Sequence, residues 1–164
     1  MRDVAGCLGC EIVAGRREIP GGIVHETARW IVNHAVGSLN LGTLVVVPRD
    51  HVVAVADLDD AAAAELGPLL RDVARVIEAI CQPEQTYVCV WSHGPTERRH
   101  LHILVQPATA AVVAQYGGLR SEQLQAKILT AGTSLDAAEV ERFCQDARQR
   151  FAAAHPRPHS PVGA

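Results

Sequence analysis

The chain is poor in aromatic residues, with two Trp, two Tyr and two Phe in 164 positions, and it has no strong charge of either sign, since 15 Lys and Arg stand against 18 Asp and Glu. A formal charge of −3 leaves no basic surplus to neutralise the many phosphates of a long polyanion, which sets nucleic acid aside as a partner. A pocket for one small phosphate ligand stays open. No apolar run reaches the roughly 20 residues of a membrane span. The start, Met1 to Cys7, is too short for a secretory signal, although Val4-Ala5-Gly6-Cys7 mimics a lipoprotein cleavage box. These absences predict a cytoplasmic protein with no membrane partner. The 48% of hydrophobic residues suffices for one good-sized core. One domain is expected over residues 1–154, followed by a disordered tail over 155–164, where Pro156, Pro158 and Pro161 crowd together.

Five cysteines is an odd number for a disulfide framework and points to reduced thiols. Cys81, Cys89 and Cys144 lie in apolar stretches and read as small buried hydrophobes. Cys7 and Cys10 stand apart as a Cys-x-x-Cys beside Gly6 and Gly9. A redox role for the pair would need a βαβ context that the sequence lacks.

The order of patterns predicts an α+β domain, an antiparallel sheet with helices packed to one side. Residues 23–32 carry the Ile, Val, Thr and Trp of a strand, and 37–42 form a loop. Thr43 to Val47 is a continuous β-branched run closed by Pro48, the mark of a central strand buried on both faces. From Asp59 the period changes to helical, with Leu66, Leu69, Leu70, Val73, Ile77 and Ile80 on one stripe, Asp59 or Asp60 as cap and a kink or start at Pro68. Two further strands, 86–92 and 100–106, flank the loop 93–99 and should pair antiparallel. Residues 121–129 and 135–151 read as helices, the second with Ser134 as cap and Val140, Phe143, Cys144, Ala147 and Phe151 on its inner face.

Chemistry concentrates in His100-Leu101-His102-Ile103-Leu104-Val105-Gln106-Pro107. Alternation along a strand puts His100, His102, Leu104 and Gln106 on one face and Leu101, Ile103 and Val105 on the other. Two imidazoles at i and i+2 on an otherwise apolar strand suggest a site, because imidazole serves as acid, base, nucleophile and metal ligand near neutral pH. A tetrahedral zinc site takes four Cys or His ligands, often two from a Cys-x-x-Cys turn. Cys7 and Cys10 offer that pair, and His51 and His100 could complete it; the alternative is two ordinary thiols.

Over about residues 7–107 the sequence resembles the histidine-triad superfamily of nucleotidyl hydrolases and transferases. Cys7-Leu8-Gly9-Cys10-Glu11-Ile12-Val13-Ala14-Gly15 is similar to that family's Cys-x-x-Cys-x-Ile-Val-x-Gly opening. Gly42-Thr43-Leu44-Val45-Val46-Val47-Pro48-Arg49-Asp50-His51 is similar to its Gly-His-Thr-Leu-Val-x-Pro-Lys-x-His stretch, and the 100–107 segment to its triad. With Pro107 as the closing proline, His100 is the first triad position, His102 the second, and Leu104 replaces the third. The rival register, which starts at Arg98, misplaces the proline. The resemblance implies zinc on Cys7, Cys10, His51 and His100. It also implies a nucleophilic His102 that takes a nucleotidyl group from a nucleotide or nucleotide-sugar, a backbone carbonyl that orients this ring, and a homodimer.

Three departures stand out. Leu104 has no proton for a leaving group, and Gln106, the next residue on that face, lies nearly 7 Å further along. The shortened phosphate loop leaves Ser92, His93, Arg98 and Arg99, with Gln106, as candidate phosphate or substrate contacts; for the loop residues the alternative is a charged surface hairpin. Ala35, next to Asn33 and His34, stands where the family has its ribose-binding acid. Two functions follow from this reading: a nucleotidyl hydrolase or transferase, or a catalytically silent zinc-stabilised domain that binds a nucleotide or a protein.

Overall fold

The computed structural model describes residues 3–36, 40–90, 98–120, 124 and 135–155. Among them the order is α1 (Leu8–Val13), β1 (Ile23–Glu26), β2 (Trp30–His34), β3 (Leu44–Pro48), a 3-10 turn (Val55–Asp57), α2 (Asp60–Cys81), β4 (Gln85–Val90), β5 (Ile103–Ala108), α3 (Ala110–Gln115) and α4 (Ala137–Ala154). The five strands form one sheet in the order β1-β2-β3-β5-β4, with every pairing antiparallel. The α+β architecture read from the sequence is therefore the observed one. The expected helix at 121–129, the capping Ser134 and the tail beyond His155 lie outside the described residues, apart from a buried Leu124.

Strand β3 is the spine. Its five residues are all buried, as the β-branched run requires of a strand with neighbours on both edges and cover on both faces. Pro48 does not stop it but forms its last pair, with Trp30. The expected strand 23–32 is in fact a hairpin. Thr27 closes the turn in the way Gly or Asn usually would: its N–H donates to Trp30 O, and its Oγ1 accepts from Trp30 N at 3.0 Å while donating to Glu65 at 2.6 Å. A side-chain turn of this kind carries no Gly or Pro in the sequence to betray it.

Helix α2 begins where Asp59 accepts from Ala62 N at 2.7 Å. It runs unbroken through Pro68. Pro68 and Ala64 are both exposed, so the carbonyl left without its helical donor faces water instead of a dry core. Helix α4 is capped by Asp136, which accepts from Ala138 N, and buries the five residues its period predicts. His155, assigned to the tail by composition, is the C-cap of this helix and bonds Asp72 of α2 at 3.1 Å.

The sheet has two different faces. Trp30, Val32, Leu44, Val46, Leu101, Ile103 and Val105 pack against α2 and α4 in the main core. Ile31, Ala35, Val45, Val47 and Leu104 form a second apolar cluster on the opposite face, covered in part by Ile12 of α1 and by Val13, Ile19 and Ile23. The alternation expected for 101–105 is thus realised, although the hydrogen-bonded strand starts only at Ile103. His100 and His102 lie in its extended lead-in, which Leu101 N anchors to Val52 O at 2.6 Å.

Candidate active site and metal centre

Four ligand atoms of Cys7, Cys10, His51 and His100 lie within 4.8 Å of one another. They come from four places in the fold: the N-cap and first turn of α1, the loop after β3, and the approach to β5. Cys7 Sγ stands 3.4 Å from His100 Nδ1, and Cys10 Sγ 3.4 Å from His51 Nδ1 and 3.6 Å from His100 Nδ1. His100 is turned by its other nitrogen. Nε2 lies 3.0 Å from Pro48 O, and since a carbonyl only accepts, Nε2 carries the proton and Nδ1 offers its lone pair to the cluster. Gly9 presents bare backbone to this ring; a side-chain carbon there would lie 2.6 Å from its Cγ and Nδ1.

The donor set, two thiols and two imidazoles within bonding reach of one point, fits a structural zinc ion in number and chemistry. Burial, helped by neighbouring Cys7, pushes the Cys10 thiol up to about 11. Burial also lowers His100 against the opposing pull of its Pro48 bond. Without metal the cluster therefore holds Cys10 as a thiol and favours neutral His100, and a bound ion must displace the Cys10 proton.

His102 lies on the face opposite the long helices, half-buried. Its Nδ1 is 3.0 Å from His100 O, and the same reasoning puts the proton on Nδ1 and the lone pair on Nε2. Leu104, next on this face, is packed among Ile31, Val45 and Val47. Gln106 is 1% exposed, faces Tyr87 across the β4–β5 ladder, and its Nε2 has no partner among the described residues. Arg98 lays its guanidinium along Gly6, whose φ of +73° only glycine adopts without strain. That brings Arg98 beside the Cys-x-x-Cys turn. Arg99 is half-buried, and its Nε has no partner among the described residues. Ser92 and His93 lie outside the described residues. The carbonyls of Pro48 and His100, which orient the two imidazoles, had no signal in the sequence, because backbone groups are the same in every residue.

No protein-family model matches the chain. Its described architecture matches that of a zinc-bound histidine-triad family protein from Mycobacterium smegmatis, at TM-score 0.65 and 17% identity, covering 92% of this chain and 98% of the other. It likewise matches a histidine-triad nucleotide-binding protein from Sulfolobus tokodaii, at TM-score 0.68 and 15% identity, over 96% and 100%. The fold is therefore that of the histidine-triad proteins. Among curated proteins, the adenosine 5′-monophosphoramidase of Schizosaccharomyces pombe is 28% identical over 105 residues, 62% of this chain and 74% of that one. Fold and sequence similarity thus point the same way: the chain has the histidine-triad fold and is similar in sequence to a histidine-triad phosphoramidase.

Proposed function

We propose that the protein is a nucleotidyl hydrolase or transferase that works through a covalent nucleotidyl-histidine on His102. The observation that carries this reading is the 3.0 Å bond from His102 Nδ1 to His100 O, which fixes the ring and leaves a lone pair on Nε2. Nε2 attacks the α-phosphorus of the substrate, and the bond from phosphorus to the leaving group breaks with its electron pair going to that group. Water, or a second phosphate, then attacks the same phosphorus and releases His102. Leu104 supplies no proton, so leaving groups that depart as stable anions, such as phosphate or pyrophosphate, are favoured over amines. The S. pombe relative is named for cleaving a phosphoramidate, which supports hydrolase chemistry at the family level.

Zinc on Cys7, Cys10, His51 and His100 would cross-link the N-terminal turn to the nucleophile's strand and hold His100, whose carbonyl orients His102. Its role is structural. Ser92, His93, Arg98, Arg99 and Gln106 remain the proposed substrate contacts. A homodimer is supported by β4, which among the described residues is an edge strand with neither charge nor proline and whose Val88 and Val90 are about half exposed; such apolar sheet edges are usually covered. Five free thiols support a reducing, cytoplasmic setting. Among the described residues no helix is long and apolar enough to cross a membrane.

Incubation with nucleoside polyphosphates, nucleotide sugars and phosphoramidates, followed by intact-mass analysis, should reveal an acid-labile nucleotidyl adduct on wild-type protein. The second reading, a catalytically silent zinc-stabilised domain, is favoured by the apolar burial of Leu104, and nucleotide binding without adduct or turnover would establish it.

A further inference from the structure

On the side of the sheet that carries the long helices, away from His102, α2 and the C-terminal end of α4 leave a cleft of about 270 Å³ between them. Arg71, Asp72 and Arg75 line it from α2, and Arg150, Phe151 and His155 from α4 and its cap. Ala79 and Ala154 face it with short side chains that leave the gap open. Asp72 is its buried centre. Its Oδ1 accepts from Arg71 Nε at 3.0 Å and from Arg75 Nη1 at 3.4 Å, and its Oδ2 accepts from His155 Nε2 at 3.1 Å. Burial works against the charge of Asp72, but the bond and charge of Arg71, with those of His155, outweigh it and hold the carboxyl below its ordinary range. The wall behind is packed: His25 stacks on Phe151 with ring centroids 4.4 Å apart and on His155 at 5.8 Å.

Both oxygens of Asp72 are thus engaged, and they fix the guanidiniums of Arg71 and Arg75 without using up their donors. Arg150 is held in the same way from the other helix, by Asp146 through Nε at 2.8 Å and Nη2 at 3.4 Å. Among the described residues, Arg71 Nη1 and Nη2, Arg75 Nη2 and Arg150 Nη1 have no protein partner. Arg71 and Arg75 stand four apart on one helix, a like-charged spacing that disfavours it, and Arg150 adds a third positive group across the gap. Two carboxylates against three guanidiniums leave a positive surplus here, in a chain whose formal charge is −3. An anion seated among the three would take up the free donors and offset that surplus.

We propose that the α2–α4 cleft is a second binding site, for a phosphate group that is free or borne by a small organic phosphate, held by Arg71, Arg75 and Arg150. Planar guanidinium forks match the oxygens of a phosphate, and the match is strongest when the forks are fixed in advance. Asp72 is the positioning residue that fixes two of them. A phosphate monoester carries close to two negative charges at neutral pH and three terminal oxygens, one for each guanidinium, whereas a carboxylate has only two. The site is independent of the nucleotidyl reading of His102, which lies on the opposite face of the sheet.

The test is isothermal titration calorimetry in chloride buffer with inorganic phosphate, ribose 5-phosphate and acetate as probes. It is run on wild-type protein and on Arg98→Ala, which weakens the phosphate contacts proposed at the His102 face. Both phosphates should bind Arg98→Ala at one site per chain, more weakly as salt is raised, and acetate should not compete. Equal affinities identify the phosphate group alone as the ligand; tighter binding of the ester identifies an organic phosphate. Arg71→Lys and Arg150→Lys keep the charge but lose the fork, and each should weaken binding by roughly tenfold. Their melting temperatures should match the parent, since both side chains are largely exposed. Undiminished affinity in both Lys variants would reveal a diffuse positive surface and overturn the site. So would phosphate binding that survives Arg71→Gln combined with Arg150→Gln, binding that vanishes in Arg98→Ala, or no binding to wild type at all.

Discussion

At the scale of single residues, the two histidines of the 100–102 segment divide their work by the atoms they expose. His100 turns Nδ1 toward the cysteines, and His102 turns its Nε2 away from the backbone that holds its Nδ1. His102→Ala should therefore abolish adduct and turnover while metal content, measured by elemental analysis, stays at the wild-type value. Leu104→His should raise the rate on phosphoramidates relative to substrates with acidic leaving groups, by up to the roughly 10² to 10⁴ of general acid catalysis. A leaving-group series measured by steady-state kinetics checks it; unchanged selectivity would mean that water already supplies the proton. The convergence of Cys7, Cys10, His51 and His100 was legible in the sequence because a Cys-x-x-Cys and two further imidazoles fit a four-ligand plan. Their orientation was not, since it depends on the carbonyls of Pro48 and His100.

At the scale of elements, strong periods translated well and local turns did not. The stripe of α4 buries all five residues that its spacing singled out, and that of α2 buries Leu69, Val73 and Ile77 with Leu66, Leu70 and Ile80 partly buried beside them, because a long amphipathic helix has one way to face a sheet. The β1–β2 hairpin was read as one strand because its turn is made by a threonine side chain. The short helices α1 and α3 fall below the length at which a period can be recognised. Capping gives a direct check: Asp59→Ala removes the bond to Ala62 N and should lower stability by about 1 kcal/mol in urea titration. His34 ties the β2–β3 connection to its own strand, with Nδ1 donating to Ala35 O and Nε2 accepting from Gly42 N at 3.0 Å. Burial lowers its pKa below 6.5, so the unfolded chain takes up that proton first as the pH falls. The associated stability is complete above about pH 6.5 and is lost on acidification through the folded-state value. His34→Gln, which keeps an acceptor but does not titrate there, should flatten part of this fall in melting temperature between pH 7 and 5, with His25, also lowered by burial, accounting for some of the remainder.

At the scale of the whole molecule, the proposed metal centre and the apolar edge strand β4 make separate predictions. Protein prepared without chelator should hold close to one zinc per chain. Stripping it should lower the melting temperature and, through the His100 carbonyl, reduce turnover even at temperatures where the apo-protein stays folded. Val88→Lys should shift the protein from dimer to monomer in light scattering, and a wild type that is already monomeric would remove the dimer from the account.

The distance along the chain between the four clustered thiols and imidazoles governs the order in which their centre can be assembled. Cys7 and Cys10 precede His100 by 93 and 90 residues, a loop whose closure is entropically unfavourable and slow relative to local contacts. On the ribosome the thiol pair emerges long before its imidazole partners. During that interval it is a reducing dithiol, free to meet other metals or oxidants, and the centre closes only after β5 has left the tunnel. Zinc held there as proposed would make maturation a race between synthesis and thiol chemistry, and slow translation under oxidising stress should yield folded chains that lack metal.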